Sequence, residues 1–220
     1  MHPNHFIKLL TLFFTTIFTI PTVADAQAVS GWVFKDEKDN VKVYYRKTAD
    51  IYELKMTTSI HTSLSGLIKL FAEVENYPLW GYNITEAKTL KKISDTEVYY
   101  YSRIDFPWPL SDRDVIMHTH LEQNLKTKTV VSKSTSVYDF IAVKKDVVRM
   151  PITRTTWTMT PGKNGWLYIE YYLYSDPGGS IPDWAVNMAL DLGPRESIKG
   201  IRRLLNDPKY QSTRLAYITE

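Results

Sequence analysis

Ser175-Asp176-Pro177-Gly178-Gly179-Ser180-Ile181-Pro182-Asp183-Trp184 joins two segments of different periodicity, and its reading decides the fold. Residues 166–175 before it alternate as a strand. Asp176-Pro177 ends that strand, because proline cannot donate to a ladder, and Gly178-Gly179 permits the positive dihedrals of a sharp reversal. Ser180 is the predicted cap of a helix over 181–206, with Pro182 in its first turn and Asp183 near its positive end. Its apolar stripe is Ile181, Ala185, Met188, Ala189 and Leu192, then Ile198, Ile201 and Leu205, while Asp183, Asn187, Asp191, Lys199 and Arg202 face away. At ~1.5 Å per residue this helix is about 37 Å long. Gly193-Pro194 predicts a kink at its middle.

Upstream, the chain reads as sheet. Tyr52, Leu54, Met56, Thr58 and Ile60 fall on one face of a strand and Glu53, Lys55, Thr57 and Ser59 on the other, the pattern of a half-buried antiparallel strand. Val41, Val43 and Tyr45 alternate likewise with Lys42, Tyr44 and Arg46, and the short Thr48-Ala49-Asp50 link suits a hairpin. Further strands are predicted near 85–92, 97–106, 113–123, 128–138, 152–160 and 166–175, with a turn at Pro161-Gly162-Lys163-Asn164-Gly165 between the last two. One shorter helix starts at Thr62 or Ser63, carries Leu64, Leu67, Ile68, Phe71 and Val74 on a stripe, and cannot continue past Pro78. The class is α+β, a curved antiparallel sheet closed by a long C-terminal helix. Residues 207–220 read as a polar tail.

The 220 residues suit one domain with a sizeable core. Lys and Arg exceed Asp and Glu by only three, with both signs dispersed, which argues against a nucleic-acid partner. The absence of cysteine excludes disulfides and thiolate chemistry. Lys8, the apolar run Leu9 to Ile20, the break at Pro21 and the small-x-small Ala24-Asp25-Ala26 predict a signal peptide over 1–26, cleaved after Ala26. The apolar run is short for a membrane span of about 20 residues. The expected location is the periplasm or the exterior, and the expected domain occupies 27–206.

Several segments together resemble START domains, the steroidogenic acute regulatory protein-related lipid transfer family. Gly31-Trp32 with Val41-Lys42-Val43-Tyr44 resembles the family's opening hairpin, and Tyr77-Pro78-Leu79-Trp80 its post-helix tryptophan segment. Phe106-Pro107-Trp108-Pro109-Leu110-Ser111-Asp112-Arg113-Asp114 is similar to its proline-bracketed strand junction. Val147-Val148-Arg149-Met150 resembles a Val-Arg strand start, and Ser175 to Trp184 the approach to the last helix. The match runs from about residue 31 to 205.

The resemblance implies a helix-grip fold that encloses one lipid or other hydrophobic molecule in an apolar cavity, with no catalytic residue, metal or cofactor. The gate it implies is the loop Tyr138 to Asp146 with the C-terminal helix, where Phe140, Ile141 and Val143 meet the bilayer and Lys144 and Lys145 its headgroups; an ordinary packed loop is the alternative. Strand parity places Tyr100 and Ser102 with Val98, Ile104 and Phe106, and Arg113 and Thr119 with Val115, Met117 and Leu121. Tyr100, Ser102, Arg113 and Thr119 are the expected polar ligand contacts, alongside Trp80 and Met188; for Arg113 a structural ion pair is favoured. Phosphatidylcholine-binding relatives place an arginine before the conserved tryptophan and an acid after it. Here Gly81 follows Trp80, and no arginine lies between Tyr77 and Trp80. Sterol-binding relatives use an acid–arginine pair, where this chain has Tyr100 or Tyr101 and Thr119. The ligand class stays open.

Two rival functions also have residues in their favour. An enzyme of cyclase or hydrolase type would need an acid–base pair such as Asp139 or Tyr171 with a histidine; a ligand sensor would need a partner. His118 and His120 share a strand face with Asp114 and Glu122, a conceivable metal set, but one whose parity is that of a polar outer face.

Overall fold

A computed structural model of the chain describes residues 31–48 and 51–220. The expected signal peptide, 1–26, lies outside the described residues. Ten strands build one sheet: β1 (Val33–Lys38), β2 (Val41–Thr48), β3 (Ile51–His61), β4 (Ile84–Lys92), β5 (Glu97–Ile104), β6 (Asp112–Gln123), β7 (Val130–Ser136), β8 (Val147–Arg149), β9 (Ile152–Pro161) and β10 (Trp166–Asp176). Their order is β1-β2-β3-β10-β9-β7-β6-β5-β4, all antiparallel, with the short β8 added parallel to β6. Register irregularities in β1–β2 and β4–β5 mark bulges, which increase local twist. The concave face holds the helices.

The alternation read along β3 is the one observed: Leu54, Met56 and Ile60 are buried against the helices, with Thr58 beside them. The pairing Thr48↔Ile51 makes β2 and β3 a hairpin. Helix α1 (Leu64–Ala72) takes Ser63 as its cap, the hydroxyl accepting from the Gly66 N–H at 3.0 Å. It stops well before Pro78, which sits inside a following 3₁₀ turn, Val74–Leu79.

Helix α2 (Asp183–Leu205) continues through Pro194. Its N-cap is Pro182, with no side-chain cap bond, so Ser180 does not play that part. The second half of α2 is anchored by Ile198, Ile201 and Leu205, which join Leu64, Leu67, Ile68, Val130, Met159 and Ile169 in the core. Leu192 falls off the predicted stripe and is exposed. Arg202, expected to face solvent, reaches the β1–β2 turn and β3 instead and donates to Asp39 O at 2.7 Å and Thr58 Oγ1 at 2.8 Å.

Residues 207–220 do not trail away as a tail. They form α3 (Pro208–Gln211) and return to α1, burying Tyr210 and Ile218. There Glu220 accepts from the N–H groups of Leu64 and Ser65, both at 2.9 Å, satisfying donors that a helix start leaves open.

Candidate functional site

Antiparallel pairing brings the ends of β2, β5 and β10 and the starts of β3, β4, β6 and β9 to one end of the sheet. At the opposite end the space under the helices is filled by the core around Ile60, Met159 and Ile198. At this end it is hollow. A cavity of about 610 Å³ lies between the concave face and the first half of α2. Its walls are Leu54 and Met56 from β3, Tyr171 and Leu173 from β10, Thr155 and Trp157 from β9, Val115 and Met117 from β6, and Tyr100, Ser102 and Ile104 from β5. Ile181, Ala185, Met188 and Ala189 form its roof. The mouth is bounded by Lys47 and Ile51, by Asp105-Phe106-Pro107, and by Asp176, Pro177 and Gly179.

The cavity stays open on one side because α2 changes character along its length. Its second half carries large apolar residues into the core, whereas Ala185, Ala189 and Gly193 facing the cavity are small. Two lips face each other there, the β5–β6 loop and the β10–α2 loop. Arg113 ties them together: its guanidinium donates to Ser111 O of the first, and to Pro177 O at 3.2 Å and Gly178 O at 3.1 Å of the second. It also stacks on Phe106, 4.5 Å from the ring centroid. The side chain is 3% exposed and its partners are carbonyls, so Arg113 is structural as expected but is no ion pair. Burial lowers its pKa.

Four of the six expected ligand contacts, Trp80, Tyr100, Ser102 and Met188, line the cavity; Arg113 and Thr119 do not. Thr119 Oγ1 bonds Ser134 Oγ at 2.6 Å, and the two hydroxyls stand behind Tyr100. Burial pushes the Tyr100 phenol up to about 12, opposed by its hydrogen bonds to Ser134 and Thr119. An aromatic group closes the inner end. Trp80 stacks on Phe71 at 5.6 Å and meets Tyr77 at 4.9 Å; Trp157 packs on Tyr171 at 4.4 Å. Tyr171 was not among the expected ligand contacts, although its strand parity with Leu167, Ile169 and Leu173 assigns it inward. Burial, and then the Tyr100 hydroxyl, push its phenol well up.

The loop Tyr138 to Asp146, the expected gate, packs on the other side of the sheet from the cavity. Phe140 stacks on Tyr99 at 4.7 Å, and Tyr99 on His118 at 4.1 Å, both residues of the outer face. Lys144 pairs with Glu86 at 3.0 Å and lies over Tyr101, and Arg149 holds the loop through Tyr138 O and Ile141 O. Phe140, Ile141, Val143, Lys144 and Lys145 all lie outside the cavity lining. The physical reason is Arg149: its side chain is buried against Asp114 at 2.6 Å, on the convex face, and the loop must wrap there to supply the remaining acceptors.

The conceivable metal set is not assembled. Asp114 is engaged by Arg149 and His118 by Glu97 at 2.8 Å, and His120 and Glu122 stand apart from both on the exposed face. No histidine among the described residues lines the cavity, so Tyr171 has none beside it, and Asp139 sits in the outer loop.

A sheet gripping a helix over an apolar chamber defines a class of protein that encloses small hydrophobic molecules. The START domain family matches residues 25–210, and the chain belongs to that family. It is 28% identical over 182 residues to an uncharacterized protein of Pseudomonas aeruginosa, covering 82% of this chain and 89% of the relative. It is 24% identical over 179 residues to the phosphatidylcholine transfer protein of Rattus norvegicus, covering 77% and 81%. Among solved structures, the STAR-related lipid transfer protein of Xanthomonas axonopodis superposes with a TM-score of 0.73 at 26% identity, covering 80% of this chain and 99% of that one.

Proposed function

We propose that this protein binds a single hydrophobic molecule and transfers it between membranes without chemically altering it. The observation that supports this is the cavity itself: about 610 Å³, with a predominantly apolar lining and a mouth at one end. Burying a 15-methylene chain there gains about 12 kcal/mol gross at ~0.8 kcal/mol per methylene. A bilayer offers the same chain a similar gain, so exchange runs near balance, and the protein's contribution is a dry container in water.

Exposed groups around the mouth support a part in exchange. Trp108 in the β5–β6 lip is 90% exposed, and Trp184 and Leu192 on the first half of α2 are also exposed. Aromatic residues of this kind favour a membrane interface. Opening requires the two lips to part, which releases Arg113 from Pro177 and Gly178. The apolar run Leu9 to Ile20 followed by Ala24-Asp25-Ala26 is what supports reading residues 1–26 as a leader, and with it transfer outside the cytoplasm.

Organic extraction of the purified protein followed by mass spectrometry should release a stoichiometric lipid, and a vesicle assay should show donor-to-acceptor movement. A protein that carries no lipid and moves none contradicts the proposal.

A further inference from the structure

The convex face carries a recess of its own. Antiparallel pairing puts the start of β2, the end of β3 and the start of β10 at the end of the sheet away from the mouth. Their outward side chains border a trough of about 490 Å³, within the range of small-molecule sites. Among the described residues that line it, none is aliphatic: each is charged, aromatic, or bears a hydroxyl or amide. The trough and the cavity share no lining residue. Elsewhere on this face polar side chains find partners within the chain: Glu53 with Arg46 and Tyr172, His118 with Glu97, and Arg154 over Tyr174. In the trough, by contrast, the side chains of Thr57, Tyr168 and Glu170 make no hydrogen bond or ion pair among the described residues.

The chemistry of the lining selects an occupant. Lys42 and Lys55 are matched by Glu37 and Glu170, and Lys42 bridges Glu37 at 3.8 Å, so the trough presents no net field to an ion. Lysine only donates hydrogen bonds and a carboxylate only accepts them, whereas a hydroxyl does both. A molecule rich in hydroxyls therefore serves both kinds of neighbour at once. Lys55 is held in place over the Tyr44 ring at 4.8 Å, and Glu170 stands one pleat repeat from its cross-strand partner Tyr172. Trp166 and Tyr168, 49% and 48% exposed, point the same way from alternate positions of β10, roughly 7 Å apart along the strand. Two such rings call for flat apolar faces on the ligand. A pyranose ring has C–H faces of that kind with hydroxyls around its rim.

We propose that this trough binds a neutral saccharide chain, with Trp166 and Tyr168 stacking on its pyranose rings and Lys55 and Glu170 hydrogen-bonding its hydroxyls. The site lies on the opposite face and at the opposite end from the mouth, so a bound saccharide leaves the mouth free and does not depend on the cargo.

Calorimetric titration of the purified full chain with maltohexaose, cellohexaose and N-acetylchitohexaose, and with polygalacturonate as the charged comparison, tests this. At least one neutral hexasaccharide should bind, and more tightly than polygalacturonate. Tyr168→Ala should weaken that binding about fivefold, the worth of one stacked ring, while leaving movement of lipid between vesicles unchanged. Should Tyr168→Ala melt well below the wild type, Glu170→Gln, which keeps the shape of the side chain, decides instead, with a loss of about fivefold expected. The proposal is overturned if no neutral hexasaccharide binds, if polygalacturonate binds more tightly than all three, or if the folded variants bind as well as the wild type. It is also overturned if Tyr168→Ala abolishes binding of the protein to vesicles, which would make the trough a membrane contact. None of these results bears on the carrier function, which the extraction experiment tests separately.

Discussion

Asp112, Arg113 and Asp114 are consecutive, yet the pleat sends them to different tasks. Arg113 points inward and joins the two lips through carbonyls, whereas Asp114 points outward to the buried Arg149. Removing one member of such a buried pair is far more damaging than its net worth, since the remaining charge stays desolvated. Asp114→Asn should therefore lower stability by about 3–5 kcal/mol, measured by urea denaturation. Glu53 makes a comparable site on the convex face, 2% exposed although its strand parity reads as outward. It accepts from Arg46 Nε at 3.0 Å and from the Tyr172 hydroxyl at 2.6 Å, under the ring of Trp32. The Arg46 hydrogen bonds, working against burial, lower its pKa to about 2. A carboxylate whose folded pKa is depressed stabilises fully above its unfolded value near 4.5 and loses that contribution as pH falls toward 2. The melting-temperature gap between the wild type and Glu53→Gln should thus be wide at pH 6 and close progressively between pH 4.5 and 2.

At the scale of elements, the seating of α2 decides whether there is a cavity. Gly200 lets the helix touch the segment after α1. A Cβ there would stand 2.6 Å from the Trp80 Cα and 3.0 Å from its carbonyl oxygen, backbone atoms that cannot swing aside. Alanine is the better helix former by about 1 kcal/mol, but forcing the helix off Trp80 costs about 1–3 kcal/mol of overpacking. Gly200→Ala should leave helix content by circular dichroism unchanged, lower the denaturation midpoint, and weaken retention of the lipid recovered by extraction, because Trp80 belongs to the cavity wall. The two lips form the other decisive pair of elements. The periodicity of β5, β6 and β10 was legible in the sequence, and so was the inward parity of Tyr100 and Ser102. The position of the Tyr138–Asp146 loop was not, because nothing in its composition says to which face of the sheet Arg149 will draw it.

For the whole molecule, a ligand that binds only the folded state stabilises it by linkage, about 2.7 kcal/mol at a hundredfold excess over Kd. In a chain of this length that amounts to about 5–10 °C in Tm, so extracted protein should melt that much lower and recover when the extracted lipid is restored. Unchanged melting after complete extraction would show that no such ligand is held. Alternation with a period of two, one amphipathic helix after Asp176-Pro177-Gly178-Gly179, and the motifs around Trp80 and Trp108 determined the fold and the family, because these are local properties of neighbouring residues. Which polar groups find partners is not local. Thr119 meets Ser134 and Tyr100, and Arg113 meets two distant carbonyls, only once the sheet curves and the helix settles. The hollow was therefore decided by the tertiary structure alone, since it depends on distances between segments far apart in the chain.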